Sequence, residues 1–158
     1  MSIASLEQAL SEGSRILVDS STLLAHFDGS ELITPLAEHV IETLVASGRN
    51  PAIVSMITVM EVLVRPLRFG ADSAYLHVLD FLQRFPNLRT VAADIFVAQQ
   101  AAGLRSNQNF SAPDALIIAT GLVHQVGHLV TNDRRWQTKL EPIEQRISVC
   151  YLGDHLPV

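Results

Sequence analysis

Cysteine is almost missing from this chain of 158 residues, since Cys150 is the only one. A single cysteine excludes an internal disulfide and fits a reducing cytoplasm. No apolar run approaches the roughly 20 residues that a membrane span requires. Residues 1–15 carry Glu7 and Glu12 and lack a basic segment followed by an apolar core, so they do not resemble a signal peptide. We therefore expect a soluble, cytoplasmic protein without a membrane segment.

Charged residues are also scarce, at 17% of the chain, and the net charge is -5, from 11 basic and 16 acidic residues. An acidic total argues against a protein that coats nucleic acid through bulk electrostatics. It does not exclude a nuclease, because an acidic pocket attracts phosphate once a divalent metal is bound. Hydrophobic residues make up 48% and the mean hydropathy is +0.27. This is more than one small core needs, so we expect a subunit or partner interface.

Strands and helices alternate along the chain, without an internal repeat or a low-complexity tract. Apolar runs predict five strands, at 15–18, 51–55, 88–91, 129–131 and 147–151. Helical spacing predicts helices at 2–10, 34–47, 57–67, 71–84, 93–104 and 113–125, with short helices through Phe27 and around Trp136, and 20–22 as a polar turn. This order predicts a three-layer α/β/α sandwich with a mostly parallel central sheet. Residues 1–158 are interpreted as a single domain, with 1–14 as a helical N-terminal extension.

Four acidic residues lie at or near the ends of these apolar segments. Asp19 ends the strand Ile16-Leu17-Val18-Asp19, and Asp133 ends Leu129-Val130-Thr131-Asn132-Asp133. Asp114 opens the most apolar helix, and Glu61 lies within the helical stretch 56–67. Residues that follow the carboxyl ends of parallel strands meet in one crevice. Four carboxylates there would repel one another unless a hard cation such as Mg²⁺ or Mn²⁺ lay between them. The pattern predicts metal-dependent phosphodiester chemistry.

Asp19 and Asp133 also have a purely structural interpretation. Either can begin a turn or cap a helix by accepting hydrogen bonds from backbone N–H groups. For Asp19 this role is not required, because each residue of 20–22 could cap the short helix through Phe27 instead. Asp133 precedes a short helix and has about equal claims to both roles.

Glu61 and Asp114 have structural alternatives of the same kind. Thr58 and Glu61 have the spacing of a capping box, although Ser55 competes as the cap and would place Glu61 deeper in the helix. Asp114 follows Pro113 near the positive end of a helix, where an acid is stabilising. The structural explanations of the four acids are independent of one another, whereas a metal site accounts for all four together.

The motifs Val18-Asp19-Ser20-Ser21, Met60-Glu61-Val62-Leu63, Pro113-Asp114-Ala115-Leu116 and Thr131-Asn132-Asp133 occur in this order. Together they resemble the motifs of PIN-domain ribonucleases, and the size and element order resemble VapC-type toxins. The resemblance covers residues 15–151. It implies Mg²⁺- or Mn²⁺-dependent cleavage of RNA, a homodimer, and an antitoxin partner whose C-terminal segment blocks the site.

The resemblance also implies roles for individual residues. Asp19, Glu61, Asp114 and Asp133 would form the catalytic acidic quartet, with Asp19, Asp114 and Asp133 as metal ligands. Ser21 and Thr131 would supply hydroxyls that hold a carboxylate or a coordinated water.

Basic residues near these motifs are candidates for contacts with the phosphates of the substrate. These residues are Arg65, Arg68, Arg134, Arg135 and Lys139, and a solvated helix face is the alternative for each of them. The alternative for the whole chain is a PIN-like module that binds RNA or protein without cleaving it.

Overall fold

A five-stranded parallel sheet forms the centre of the computed structural model, which describes residues 2–157. Met1, which belongs to the predicted N-terminal extension, and Val158, the last residue of the predicted domain, lie outside the described residues. The strands are β1 (Ile16–Val18), β2 (Ala52–Ser55), β3 (Leu88–Val91), β4 (His128–Thr131) and β5 (Ser148–Tyr151), in the order β3-β2-β1-β4-β5. All neighbouring pairs are parallel. The three central strands are buried along their whole length, as a sheet covered on both faces requires.

Helices connect the strands and cover both faces of the sheet. They are α1 (Ser2–Ala9), α2 (Ser20–Asp28), α3 (Thr34–Glu38), α4 (Met56–Arg68), α5 (Asp72–Arg84), α6 (Ile95–Gln108), α7 (Ala112–Val123) and α8 (Gln137–Leu140). A π-helical stretch, His39–Val45, continues α3. Short 3₁₀ helices cover Arg134–Trp136, Glu141–Ile143 and Leu152–His155. Among residues 2–157, no helix combines the length and apolar character needed to cross a membrane.

Alternate residues of each central strand face two different hydrophobic cores. In β1, Ile16 and Val18 pack with residues of α1, α2 and the α3 region, whereas Leu17 packs with residues of α6 and α7. The strand period of two therefore divides the interior into one core on each face of the sheet. This arrangement confirms the predicted three-layer α/β/α sandwich with a parallel sheet.

The helix predicted in the N-terminal extension is α1, and it packs on the first of these cores. Leu6 and Leu10 are fully buried. The guanidinium of Arg49 donates to the main-chain carbonyls of Glu7 and Leu10, at 3.0 Å in each case. The Glu7 carboxylate lies 2.8 Å from Nε2 of His39, at the start of the π-helical stretch. The extension is therefore attached by both apolar and polar contacts.

Several predictions of local structure are wrong. Residues 20–22 are the first turn of α2 rather than a polar turn. Segment 34–47 is not one α-helix, because it widens into the π-helix from His39 onward. Apolar spacing alone does not distinguish these two helix types over so short a stretch. The 3₁₀ helix Leu152–His155 has no counterpart in the prediction.

The order of the strands creates a crevice beside β1. The chain moves outward from β1 through β2 to β3, and then crosses to β4 on the other side of β1. Ligands of open parallel sheets bind outside the carboxyl ends of the strands at such a reversal. Asp19 directly follows β1 and Asp133 comes two residues after β4, so the fold places both acids at this point.

Candidate functional site

Asp19 is the buried centre of the site, with only 1% of its surface exposed. Its Oδ1 accepts hydrogen bonds from the backbone N of Thr22, at 3.1 Å, and from Oγ of Ser21, at 2.8 Å. Its Oδ2 accepts from Oγ1 of Thr131, at 2.5 Å. Asp19 is also the N-cap of α2, so the prediction that one of residues 20–22 could take that role is wrong. Capping and participation in the site occur in the same side chain.

The hydrogen bonds leave Asp19 with capacity for one further contact. The two carboxylate oxygens offer about four lone-pair positions. The donors are one backbone N–H and the single hydroxyl protons of Ser21 and Thr131, since Ser21 reaches either oxygen at 2.8 or 3.1 Å. Asp19 can therefore bind a cation through one lone pair without losing the bonds that orient it.

Burial raises the pKa of Asp19 to about 6, although hydrogen bonds from Thr131, Thr22 and Ser21 lower it in part. These donors are all neutral, and neutral donors compensate only part of the cost of a buried charge. A cation beside the carboxylate would remove the remainder. The environment of Asp19 is thus suited to holding a positive charge.

Thr131 and Ser21 connect the start of α2 to the loop that follows β4. Oγ1 of Thr131, which donates to Asp19, accepts from the backbone N of Asp133 at 2.9 Å. Oγ of Ser21 accepts from the backbone N of Asn132 at 2.8 Å. One hydroxyl therefore connects the Asp19 side chain to the Asp133 backbone across the crevice. Asn132, which the motif Thr131-Asn132-Asp133 contains without a predicted role, takes part in this connection through its backbone N.

Asp133 is bound by Arg135 through both carboxylate oxygens. Nε of Arg135 donates to Oδ1 at 2.9 Å, and Nη2 donates to Oδ2 at 2.6 Å. The backbone N of Arg135 also donates to Oδ1, at 3.0 Å, so that Asp133 caps the 3₁₀ helix Arg134–Trp136. The hydrogen bonds from the Arg135 side chain hold the pKa of Asp133 below its ordinary value. The predicted capping role of Asp133 is confirmed, with an ion pair added to it.

Glu61 lies in the second turn of α4 and is half-buried. The N-cap of this helix is Ser55, whose Oγ accepts from the backbone N of Ile57 at 3.2 Å. The alternative of a capping box between Thr58 and Glu61 is therefore wrong, and Glu61 is free of that local role. Ser55 was correctly identified as the competing cap.

Asp114 lies in the first turn of α7 and is also half-buried. Its backbone N donates to Oγ of Ser111, the N-cap, at 3.3 Å. Further along α7, Oγ1 of Thr120 lies 3.4 Å from Oγ of Ser55, which holds α7 against the end of β2. This contact brings the helices that carry Asp114 and Glu61 to the same edge of the sheet.

Arg135 connects the two halves of the site electrostatically. Its own pKa is raised first by its hydrogen bonds to Asp133, and further by the negative charges of Asp114 and Glu61. Three of the four predicted acids therefore lie within electrostatic range of one guanidinium. The fourth, Asp19, is joined to Asp133 through Thr131.

The oxygen donors suit a hard divalent cation, but their arrangement is not that of a closed metal site. Carboxylates and hydroxyls are the ligands that Mg²⁺ and Mn²⁺ prefer. Among residues 2–157, however, no three acidic, histidine or cysteine side chains converge closely enough to hold one ion. That the four acids share one ion stays a prediction. The carboxylates and hydroxyls present are chemically suited to such a metal. In this structure, however, the carboxylate of Asp133 is bound by the guanidinium of Arg135.

The other basic candidates have separate contacts. Arg134 pairs with Asp154, and its guanidinium carbon lies 4.4 Å from the ring centroid of Tyr151. Arg65 lies 3.5 Å from Asp28. The two remaining residues are Arg68, exposed in the last turn of α4, and Lys139, which donates to the carbonyl of Asn109 at 2.9 Å.

Residues 16–140 match the family model of the PIN domain. This span covers most of the chain and contains all four acids, and the chain belongs to the PIN-domain family. No curated protein sequence matches the chain.

Solved structures share the fold at low sequence identity. A toxin–antitoxin complex from Klebsiella pneumoniae is 21% identical with a TM-score of 0.63, covering 87% of this chain and 97% of that one. VapBC2 from Rickettsia felis, bound to a DNA fragment from its promoter, is 13% identical with a TM-score of 0.68, covering 86% and 97%. VapC20 of Mycobacterium tuberculosis, described as a sarcin-ricin loop cleaving toxin, is 15% identical with a TM-score of 0.59, covering 72% and 86%. The fold is that of VapC-type PIN proteins.

Proposed function

We propose that this chain is a Mg²⁺- or Mn²⁺-dependent endoribonuclease, the toxin of a toxin–antitoxin pair, and that it acts in the cytoplasm. The observation that carries the proposal is the linkage of Asp19 to Asp133 through Thr131, at the strand crevice of a PIN domain. The structural neighbours support it, since one is described as a sarcin-ricin loop cleaving toxin and another as a toxin–antitoxin complex.

In this proposal Asp19, Asp114 and Asp133 hold the metal, and Glu61 completes the acidic quartet from α4. When bound, the metal supplies Lewis-acid activation of water and neutralises charge on the reacting phosphate. Asp19 contributes one lone pair and is kept in a fixed orientation by its hydroxyl neighbours. Its burial favours this role, because a desolvated carboxylate gains most from a nearby cation.

The expected products carry a 5′-phosphate and a 3′-hydroxyl, because water attacks the phosphorus rather than the ribose 2′-hydroxyl. Arg68 and Arg134 remain candidates for phosphate contacts outside the acidic quartet. The identity of the terminal groups distinguishes this mechanism from that of a ribonuclease that forms a cyclic phosphate.

The proposed antitoxin would bind an apolar groove between α2, α4 and α5. The groove measures about 200 Å³ and is lined mainly by apolar side chains, which are Leu24, Phe27, Val62, Pro66, Phe69, Ala71, Ala74 and Val78. Phe69 is 77% exposed and continues this apolar lining to the surface, and contiguous exposed apolar patches mark interaction sites. Asp28 and Arg65 add charges at its edge. An amphipathic segment with apolar anchors matches this surface.

The proposed homodimer would use a second apolar surface. Met56 and Met60 on α4 are 43% and 54% exposed, and Ile95 and Phe96 on α6 are 67% and 62% exposed. Both helices begin at the carboxyl ends of neighbouring strands, so the four side chains lie at one edge of the sheet. Sedimentation of the unmodified chain measures whether it is a dimer in solution.

One observation favours the alternative of a PIN-like module that binds RNA or protein without cleaving it. Among the residues that the structure describes, three metal ligands do not converge. A titration with metal, followed by an activity assay, separates the two proposals.

The test uses purified protein that is stripped with EDTA and then supplied with Mg²⁺ or Mn²⁺, with labelled RNA as the substrate. We expect cleavage that depends on the metal, and its loss in Asp19→Asn and Asp114→Asn with the fold retained. Asp94→Asn is the matched control, because Asp94 only caps α6, accepting from Val97 N at 3.0 Å, and asparagine caps equally well. Full activity of Asp19→Asn, with contaminating nuclease excluded, would refute the proposal.

A further inference from the structure

Arg135 occupies both oxygens of Asp133. The guanidinium forms a two-point contact with the carboxylate, through Nε at 2.9 Å and Nη2 at 2.6 Å. Two parallel charge-assisted bonds are the strongest arrangement that arginine makes with a carboxylate. An ion that binds Asp133 must compete with this contact.

The side chain of Arg135 has no packing role that would explain its position. It is 83% exposed, whereas the next residue, Trp136, is 97% buried and anchors this segment in the core beside α6 and α7. Its guanidinium instead reaches Asp133, whose side chain is only 16% exposed, and donates to both carboxylate oxygens. Arg135 is therefore held in position by this ion pair.

We propose that Arg135 is an internal cation that competes with the divalent metal for Asp133 and thereby sets the metal affinity of the site. The inference rests on the proposed function, because it takes these acids to be metal ligands. A metal at Asp133 has to share the carboxylate with the guanidinium or displace it, and the two positive charges repel each other; a displaced guanidinium is then available to the substrate. Arg135 is in this sense a positioning residue, which acts on the metal through Asp133.

Removing the competitor should tighten metal binding. An exposed ion pair contributes up to about 1 kcal/mol, which corresponds to about fivefold in a binding constant. We therefore expect Arg135→Gln to lower the Kd for the metal about three- to fivefold. The ratio should shrink at high salt, because exposed charges are screened.

Arg134→Gln is the matched control, since it removes the same charge one residue earlier. Arg134 pairs with Asp154 and lies against Tyr151, so the substitution leaves the contact between Arg135 and Asp133 intact. Any difference between the two variants then reports that contact rather than net charge. Arg135→Lys keeps the charge but loses the two-point geometry, and we expect an intermediate Kd.

The experiment is a calorimetric titration of MnCl₂ into the full chain and the three variants, without RNA. In parallel, NMR follows the Nε–H resonance of Arg135 during a titration with MgCl₂, which is diamagnetic, and the resonance is assigned by its loss in Arg135→Gln. We expect this resonance to shift as the metal binds, and the corresponding resonance of Arg134 to remain in place.

Equal Kd values for Arg135→Gln and Arg134→Gln would overturn the inference, and so would weaker metal binding by Arg135→Gln. Either result, with metal binding retained by the parent, leaves the proposed function standing. Absence of metal binding by the parent would overturn both.

Discussion

Asp19→Asn should make the protein more stable at neutral pH while it removes the proposed activity. The pKa of Asp19 rises from 3.8 to about 6 on folding, because burial disfavours the charged form. One pKa unit corresponds to about 1.4 kcal/mol, so the ionised carboxylate costs about 3 kcal/mol of folding stability. The folded state binds more protons than the unfolded state between these two values. Stability is therefore lost as the pH rises through that window and stays lower above it.

The gain from the substitution is smaller than the full cost of the charge. An asparagine amide has one oxygen, and it cannot accept from all of the donors that now surround Asp19, namely Ser21, Thr22 and Thr131. One hydrogen bond lost in this way costs about 1 kcal/mol. The net gain is then about 2 kcal/mol near neutral pH, which for a chain of this size raises the Tm by about 4–8 °C.

Urea unfolding in the presence of EDTA measures the difference between the parent and Asp19→Asn. We expect the variant to be more stable at about pH 8 and nearly equal to the parent at about pH 4.5, where Asp19 is mostly protonated in the folded state. Asp133→Asn is the control of opposite sign, because the hydrogen bonds from Arg135 lower the pKa of Asp133. It should destabilise slightly at the higher pH. A gain for Asp19→Asn that is absent at pH 8, or the same at both pH values, would refute the reasoning.

Two further predictions concern the N-terminal extension and the apolar groove proposed to bind the antitoxin. Leu6→Ala should lower the unfolding free energy by about 2–5 kcal/mol, because Leu6 is fully buried in the core, and a single cooperative transition would support the extension as part of one domain. A loss below 1 kcal/mol, or a separate early transition, would contradict this. Phe69→Glu should weaken binding of the proposed antitoxin at least about tenfold with little change in stability, whereas Leu32→Glu, at 84% exposure outside the groove, should not. Equal affinities of the two variants in a pull-down and a calorimetric titration would locate the antitoxin elsewhere.

The sandwich could be predicted from the chain because its signals are local. Ile16-Leu17-Val18 and Leu129-Val130-Thr131 are short, mainly apolar runs between helical segments, and such alternation is typical of parallel sheets. The π-helix from His39 onward could not be predicted this way, because apolar spacing is similar for both helix types. The adjacency of β1 and β4 is also not local, since it joins strands more than a hundred residues apart.

The candidate site was predictable in its acids but not in their pairings. Asp19 and Asp133 stand at strand ends, and that position is visible in the apolar pattern. The contact between Asp133 and Arg135 was not predicted, because Arg135 was interpreted as a contact for the substrate. Whether the side chain of Arg135 pairs with Asp133 or extends to a substrate depends on its direction at this turn. The sequence does not define that direction.

Local capping and a shared site are not exclusive explanations in this fold. The crevice of an open parallel sheet lies beyond the carboxyl ends of the strands, where the following helices also begin, so one residue in this region can be both an N-cap and a wall of the crevice. Asp19 satisfies Thr22 with one oxygen and offers the other to Thr131, and Asp133 caps a 3₁₀ helix while it binds Arg135. A capping role for Asp19 or Asp133 is therefore not evidence against its membership in the candidate site. An acid that belongs to the candidate site differs from an ordinary N-cap in one of two ways. Asp19 is more deeply buried than capping requires, and Asp133 has a charged partner, Arg135, that capping does not require.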